Sequence, residues 1–328
     1  MVLSMGYVGN VAHHLEGAYE LNPAGQAPGV NPAAVAAGCN PANLGICAAG
    51  TFPYNPLTTG LAAINQQATE FNSNYNSLQV SLNKHFSHGL EFMAAYTWSR
   101  YFDENSTFDN QAGFVGPGIN PFSLSSMYAP SDNDAPQRLV LNYDYTLPFY
   151  HFVQRWRPLT DGWKLVGIMT FQHGFPVLMS NSANPSDTCW AAAEVVDVPC
   201  WDRPDRVSGV PFNISNPRNN NIGGLPNYWF NPAAFASAAP GTGIGNSSRN
   251  PLYGPGIDNF DMSLMKDIHI TESKFFELRF EAFNTFNHAQ FAEPVGDVNN
   301  PNFGRILSTF TGSGIAERVL QLSGKFYF

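Results

Sequence analysis

Carboxylates gather twice in the first half of the chain, as Asp103, Glu104 and Asp109 and again as Asp132 and Asp134. Acids at that density suggest a calcium site, which needs about six to eight oxygen ligands. The glycine and terminal glutamate that shape an EF-hand loop are missing, so solvated loop acids are the better reading. The stretch 241-GTGIGN-246 resembles a phosphate-binding loop in composition only. It does not match G-x-G-x-x-G and has no strand–helix frame around it, so it reads as a flexible loop. His13 and His14 and the scattered remaining histidines lack metal-ligand spacing, and no Ser/His/Asp or Cys/His grouping is present. The expectation is a protein that is not an enzyme and has no metal or cofactor.

Two further sets have a spacing that matters. Cys39 and Cys47, and Cys189 and Cys200, form two local pairs, each inside a Gly/Pro/Asn/Ala-rich stretch. That reads as two loop staples in an oxidising compartment, with free buried thiols as the alternative. Glu277, Arg279 and Glu281 alternate with Phe276, Leu278 and Phe280. On an extended strand the charged set would share one face and the apolar set the other. Such a charged face would line a lumen, either as part of a ligand path or as an ion-pair ladder that holds register.

Those side chains need strands to position them, and the composition favours strands. Only 12% of the 328 residues are charged while 14% are aromatic, and 29 Gly and 25 Pro interrupt any long helix. The net charge of −9 argues against nucleic acid as a partner, because phosphate binding needs concentrated Lys and Arg. No run of 18 apolar residues offers a helical membrane span. The opening MVLSMGYVGNVAHHLEG has neither the basic start nor the apolar core of a signal peptide.

Eight segments alternate over roughly ten residues: Val2 to His13, Ser77 to Phe86, Leu90 to Tyr101, Gln137 to Leu147, Trp163 to Phe175, Asn259 to Ile268, Phe275 to Phe286 and Arg318 to Phe328. Tilted by about 45°, a strand of that length crosses the apolar layer of an outer membrane, whereas sandwich strands are more often about five or six residues long. Aromatics collect near strand ends, where membrane-interface girdles would place them. The links then alternate. Those after the second, fourth and sixth segments are short or moderate; those after the first, third, fifth and seventh are long. This is the pattern of periplasmic turns and extracellular loops.

The expected fold is therefore all-β, an antiparallel transmembrane β-barrel arrangement of about eight long strands, with the whole of 1–328 as one outer-membrane barrel domain, which the resemblance given below implies is partial. Strand parity puts Phe328 at the periplasmic rim. The competing reading is a secreted soluble β-barrel or sandwich that binds carbohydrate on aromatic platforms. The two differ in whether the apolar face points out to lipid or in to a closed core.

Several stretches resemble the C-terminal part of TonB-dependent receptors of the Oar-like group, whose N-terminal region carries a carboxypeptidase-regulatory-like domain. They are 74-NYNSLQVSLNKHFSHGLEFMAAYTWSR-100, 134-DAPQRLVLNYDYTLPF-149, 162-GWKLVGIMTFQHGFPV-177, 229-WFNPAAFA-236, 245-GNSSRNPLYGPGIDNFDMSLMKDIHITE-272, 278-LRFEAFNTFNHAQF-291 and 324-GKFYF-328. The resemblance implies a twenty-two-stranded barrel with an N-terminal plug, driven by the TonB complex, that takes up an unidentified ligand across the outer membrane. It also implies that Phe326 and Phe328 serve as a terminal signal for the barrel-assembly machinery. Signal peptide, TonB box and plug are absent from this sequence, so the expectation is a fragment that does not transport alone.

Overall fold

The structure is a computed structural model that describes residues 1–20, 65–106, 123–149, 157–181, 203–217, 219–238, 245–271, 273–310 and 317–328. Eight strands follow one another in a single antiparallel sheet: β1 (Val2–Glu20), β2 (Asn65–Ser87), β3 (Leu90–Asp103), β4 (Gln137–Thr146), β5 (Trp163–Gln172), β6 (Ile257–His269), β7 (Phe275–Phe283) and β8 (Val319–Tyr327). Each pairs with its neighbours in sequence order, and the two-residue strand Ala129–Pro130 adds to the outer end of β3. β1 is paired only with β2, and β8 only with β7, so the sheet is open among the described residues.

The register turns the alternation of each strand into two continuous faces. Leu3, Leu82, Ala94, Leu141, Met169 and Phe260 lie side by side across six strands. Glu91, Asp144, Val166, Ser263, Glu281 and Gln321 do the same on the other face. A slip of one residue in any pairing would interleave the two sets, so the pattern itself holds the register. The apolar face stays open to its surroundings: Met5 is 65% exposed, Phe280 50% and Leu322 67%. Two glycines on this face make room for rings. A Cβ on Gly167 would lie 2.7 Å from the Tyr143 hydroxyl opposite it, and one on Gly324 would lie 2.9 Å from the Phe276 ring.

The turns follow from local chemistry. His88 and Gly89 both take positive φ, 54° and 76°, which gives the two-residue type I′ connection that matches strand twist, with Ser87 facing Leu90. Between β6 and β7, the amides of Ile270 and Thr271 both donate to the Lys274 carbonyl. The link from β4 to β5 holds a single helical turn, Arg157–Thr160, whose Leu159 carbonyl accepts the Trp163 indole N–H at 2.7 Å.

The strand map differs from expectation mainly at one corner. β1 and β2 run 19 and 23 residues, well past the ends set by alternation. The added part, 65-NQQATEFNSNYN-76, is polar on both faces because the hairpin continues into water, where nothing selects an apolar stripe. This arm is anchored by Phe71, which is fully buried against Met127, Ala68 and Leu124. Glu104 reinforces the anchor by accepting from the backbone and side-chain nitrogens of Asn72 at 2.8 and 2.9 Å. Conversely, β7 stops at Phe283 because Asn284 turns the chain at φ 47°.

Candidate functional site

Two places bring chemistry-bearing side chains together: the polar face of the sheet, and a cap built from the long links at its outer end.

On the polar face, Glu277, Arg279 and Glu281 stand together as expected. Arg279 donates from Nε to Glu277 Oε1 at 2.6 Å and lies 3.9 Å from Glu281. These bonds run along β7; across the strands Glu277 faces Asp267 on one side and Lys325 on the other. Lys164 reaches Asp267 at 3.0 Å. Ion pairs thus link β5 to β6 and run along β7 on this face. A cavity of about 460 Å³ opens nearby, lined on the polar face by Asn83, His85, Glu91, Asn142 and Asp144.

The cap arises from residues 173–181, 203–256 and 284–310, within the described residues. Its centre is an apolar cluster drawn wholly from these links: Val177, Met179, Phe230, Ala234, Phe235 and Phe303. The Phe230 ring meets Phe303 edge-on at 5.2 Å, and Phe212 stacks on Phe235 at 5.3 Å. Arg206 lays its guanidinium 4.1 Å over Phe212 and donates to the Ala234 carbonyl. The stretch 229-WFNPAAFA-236 supplies much of this centre. Asn231 accepts from the Ala233 amide and starts the short 3₁₀ turn that turns Ala234 and Phe235 inward.

The acids expected to be solvated lie where cap meets sheet, and they are paired. Asp103, 1% exposed, forms a salt bridge with Arg249, 3% exposed. Asp134, fully buried, accepts from the Tyr101 amide at 2.9 Å and from the Tyr253 hydroxyl at 2.5 Å, with Arg100 also against it. Asp132 accepts from Asn250 at 2.6 Å. The physical reason for the correction is partner supply. Burying a carboxylate is tolerable only with donors close by, and three of those donors, Arg249, Asn250 and Tyr253, come from a segment more than a hundred residues later. Burial and the hydrogen bond to Asp134 push the Tyr253 hydroxyl well above its ordinary value. Glu293, though solvent-exposed, is also pushed up, first by partial desolvation and then by Asp132. Among the described residues, no grouping of three or more His, Cys, Asp or Glu could hold a metal ion. Asp109, Cys39, Cys47, Cys189 and Cys200 lie outside the described residues.

Arg249, Asn250 and Tyr253 were not singled out by sequence reasoning. Their signal was present: an Arg-Asn pair and a Tyr in a Gly/Pro-rich loop, in a chain with an acid cluster elsewhere. Of 241-GTGIGN-246, the described Asn246 accepts from the Arg206 amide at 2.8 Å, an ordinary loop contact. At the other end, the Phe326 and Phe328 rings stack at 6.1 Å on the apolar face, with Phe328 93% exposed.

A ladder of long antiparallel strands with one apolar and one polar face is the arrangement expected of membrane β-barrel proteins. The chain belongs to the outer membrane beta barrel domain family, whose match spans residues 1–321. Membership places it in the outer membrane, and the secreted soluble reading falls with it. Among solved structures, the outer membrane transporter YddB from Escherichia coli superposes with a TM-score of 0.44 at 8% sequence identity. That alignment covers 99% of this chain and 30% of the transporter chain, so the chain spans less than a third of that protein's length. No curated protein matches the chain.

Proposed function

We propose that the chain is the C-terminal barrel portion of a TonB-dependent receptor of the Oar-like group, contributing eight strands to a twenty-two-stranded barrel for energised uptake of an unidentified ligand. It acts as a transport protein and not as an enzyme. In this reading the apolar face meets outer-membrane lipid, the barrel-assembly machinery reads Phe326 and Phe328, and the TonB complex acts through the receptor's plug-bearing region. The observation that carries the reading is the open sheet, in which β1 and β8 each pair on one side only among the described residues. Unpaired strand edges are untenable in lipid, where each lost hydrogen bond costs several kcal/mol. Further strands on both edges remove that cost.

Expression of the chain with an added signal peptide tests it. The expected product is aggregated or an open sheet, with no uptake. A heat-modifiable, protease-resistant monomer in the outer membrane would refute the partial-barrel reading in favour of closure by eight strands. Within a complete barrel that contains this portion, Phe328→Ser should lower membrane insertion far more than Ser248→Ala, a change at an exposed loop position.

A further inference from the structure

A second cavity lies in the cap itself, apart from the polar face. Its volume of about 480 Å³ is in the range of small-molecule sites, and no residue of the eight strands lines it. Three short stretches form its walls: one with Phe212, Asn213 and Pro217, one with Trp229, and one with Pro251 and Tyr253. Hydrogen bonds fix these walls to one another. The Asn231 amide donates to the Phe212 carbonyl at 2.8 Å, and the Asn231 side chain to the Pro211 carbonyl at 3.2 Å. The Trp229 indole N–H donates to the Tyr253 carbonyl at 2.7 Å, and the Leu252 carbonyl accepts from the Val177 amide at 2.8 Å. A site held in this way is formed before a ligand arrives, so little ordering is left for binding to impose.

The chemistry of the lining is narrow. Phe212, Trp229 and Tyr253 bring aromatic rings, and Pro217 and Pro251 bring compact apolar ones. The polar ends of the aromatic residues are already engaged: the indole N–H with the Tyr253 carbonyl, and the Tyr253 hydroxyl between Asp134 and Arg100. No charged side chain is among the described lining residues. One group is left over, the side-chain amide of Asn213, at an exposed position and without a hydrogen bond among the described residues. An uncharged lining does not compensate a desolvated ion, and one amide cannot satisfy the many hydroxyls of a sugar. An aromatic ring meets other rings by stacking or edge-on, with no polar group left wanting. We propose that this cavity binds an uncharged aromatic group with one hydrogen-bonding substituent, its ring among Phe212, Trp229 and Tyr253 and its substituent on Asn213. This goes beyond the uptake reading, and its test measures binding without transport, so either can fail alone.

The test is a saturation-transfer NMR titration of a complete barrel that contains this portion, held in lipid nanodiscs, with four water-soluble probes. N-acetyl-tryptophanamide is uncharged and aromatic, N-acetyl-leucinamide lacks the ring, tryptamine carries a positive charge, and methyl glucoside is a ring of hydroxyls. N-acetyl-tryptophanamide should bind at least about tenfold more tightly than each of the others. Trp229→Leu should weaken its binding about tenfold, and Asn213→Ala about fivefold. Tighter binding of methyl glucoside or of tryptamine would overturn the proposal in favour of a sugar site or a cation site. Equal binding of N-acetyl-leucinamide would overturn it too, because the rings would then confer no preference. So would N-acetyl-tryptophanamide binding that neither variant changes, or no binding at all. If Trp229→Leu fails to fold, Asn213→Ala decides the matter alone, since its side chain is exposed and holds nothing in place.

Discussion

The sheet and the cap solve the same problem, a stable arrangement of a weakly charged chain, in opposite ways. In the sheet, apolar residues such as Leu141 and Phe280 are turned toward the surroundings, and order comes from the ladder of backbone bonds and the charged set on β7. In the cap, Phe230, Phe235 and Phe303 are turned inward, and the charged groups are buried at the boundary. Lipid is the effective solvent for the first and water for the second. The same residue types therefore report opposite things in the two regions: an exposed Leu on β8 is at home in lipid, whereas Phe230, Phe235 and Phe303 are held out of water by one another.

Breaking the comparison should cost most where the charge is buried. Arg249→Met leaves Asp103 without its counter-ion in a fully buried place, and should destabilise the cap by about 3–5 kcal/mol. Denaturant unfolding monitored at Trp229, which packs against the cap centre, would show it. Next comes the lipid face. Leu141→Arg at mid-strand should cost about 2–4 kcal/mol, while Asn142→Arg one position along, on the polar face, should cost clearly less, as read in a complete barrel that contains this portion by folding into bilayers in urea. A smaller effect belongs to the β2–β3 turn, where Gly89 sits at φ 76°. Gly89→Ala should destabilise the hairpin by about 1–2 kcal/mol, with no change in amide exchange of the cap.

The smallest effect sharpens the boundary between the regions. Glu293 lies in the cap, and its carboxyl is raised by partial desolvation first and by Asp132 second. A raised carboxyl pKa means the folded cap holds this proton more tightly than the unfolded chain. The contribution is therefore fully present below the unfolded value and is lost as pH rises through the raised folded value. NMR titration of the Glu293 carboxyl should show the upward shift. Asp132→Asn should reduce it without abolishing it, because the partial desolvation remains.

The sheet was legible in the sequence because it repeats with a period of two. All eight strands were found, and the errors fell where the period carries no information, as in the water-exposed extension of β1 and β2 around Asn65–Asn76. The cap was not legible in that way. Phe230, Phe235 and Phe303 follow no period, and the partners of Asp103 and Asp134 come from Arg249 and Tyr253, far along the chain. An acid cluster announces itself locally, but whether it is solvated, metal-bound or paired depends on what the fold later brings to it. For Asp132 and Asp134 that was an asparagine and a tyrosine.

The central claim is that the face carrying Leu82, Leu141 and Phe280 meets lipid while the face carrying Ser81, Asn142 and Glu281 meets water. Single cysteines at Leu141 and Asn142, in a complete barrel that contains this portion, held in bilayers with its native cysteines replaced, test it most directly by reaction with a membrane-impermeant maleimide. The account predicts rapid labelling at position 142 and protection at 141, with a fluorophore at 141 quenched by brominated lipid. Labelling at 141 together with protection at 142 would contradict it, because the apolar residues would then face a watery space and the polar ones the lipid.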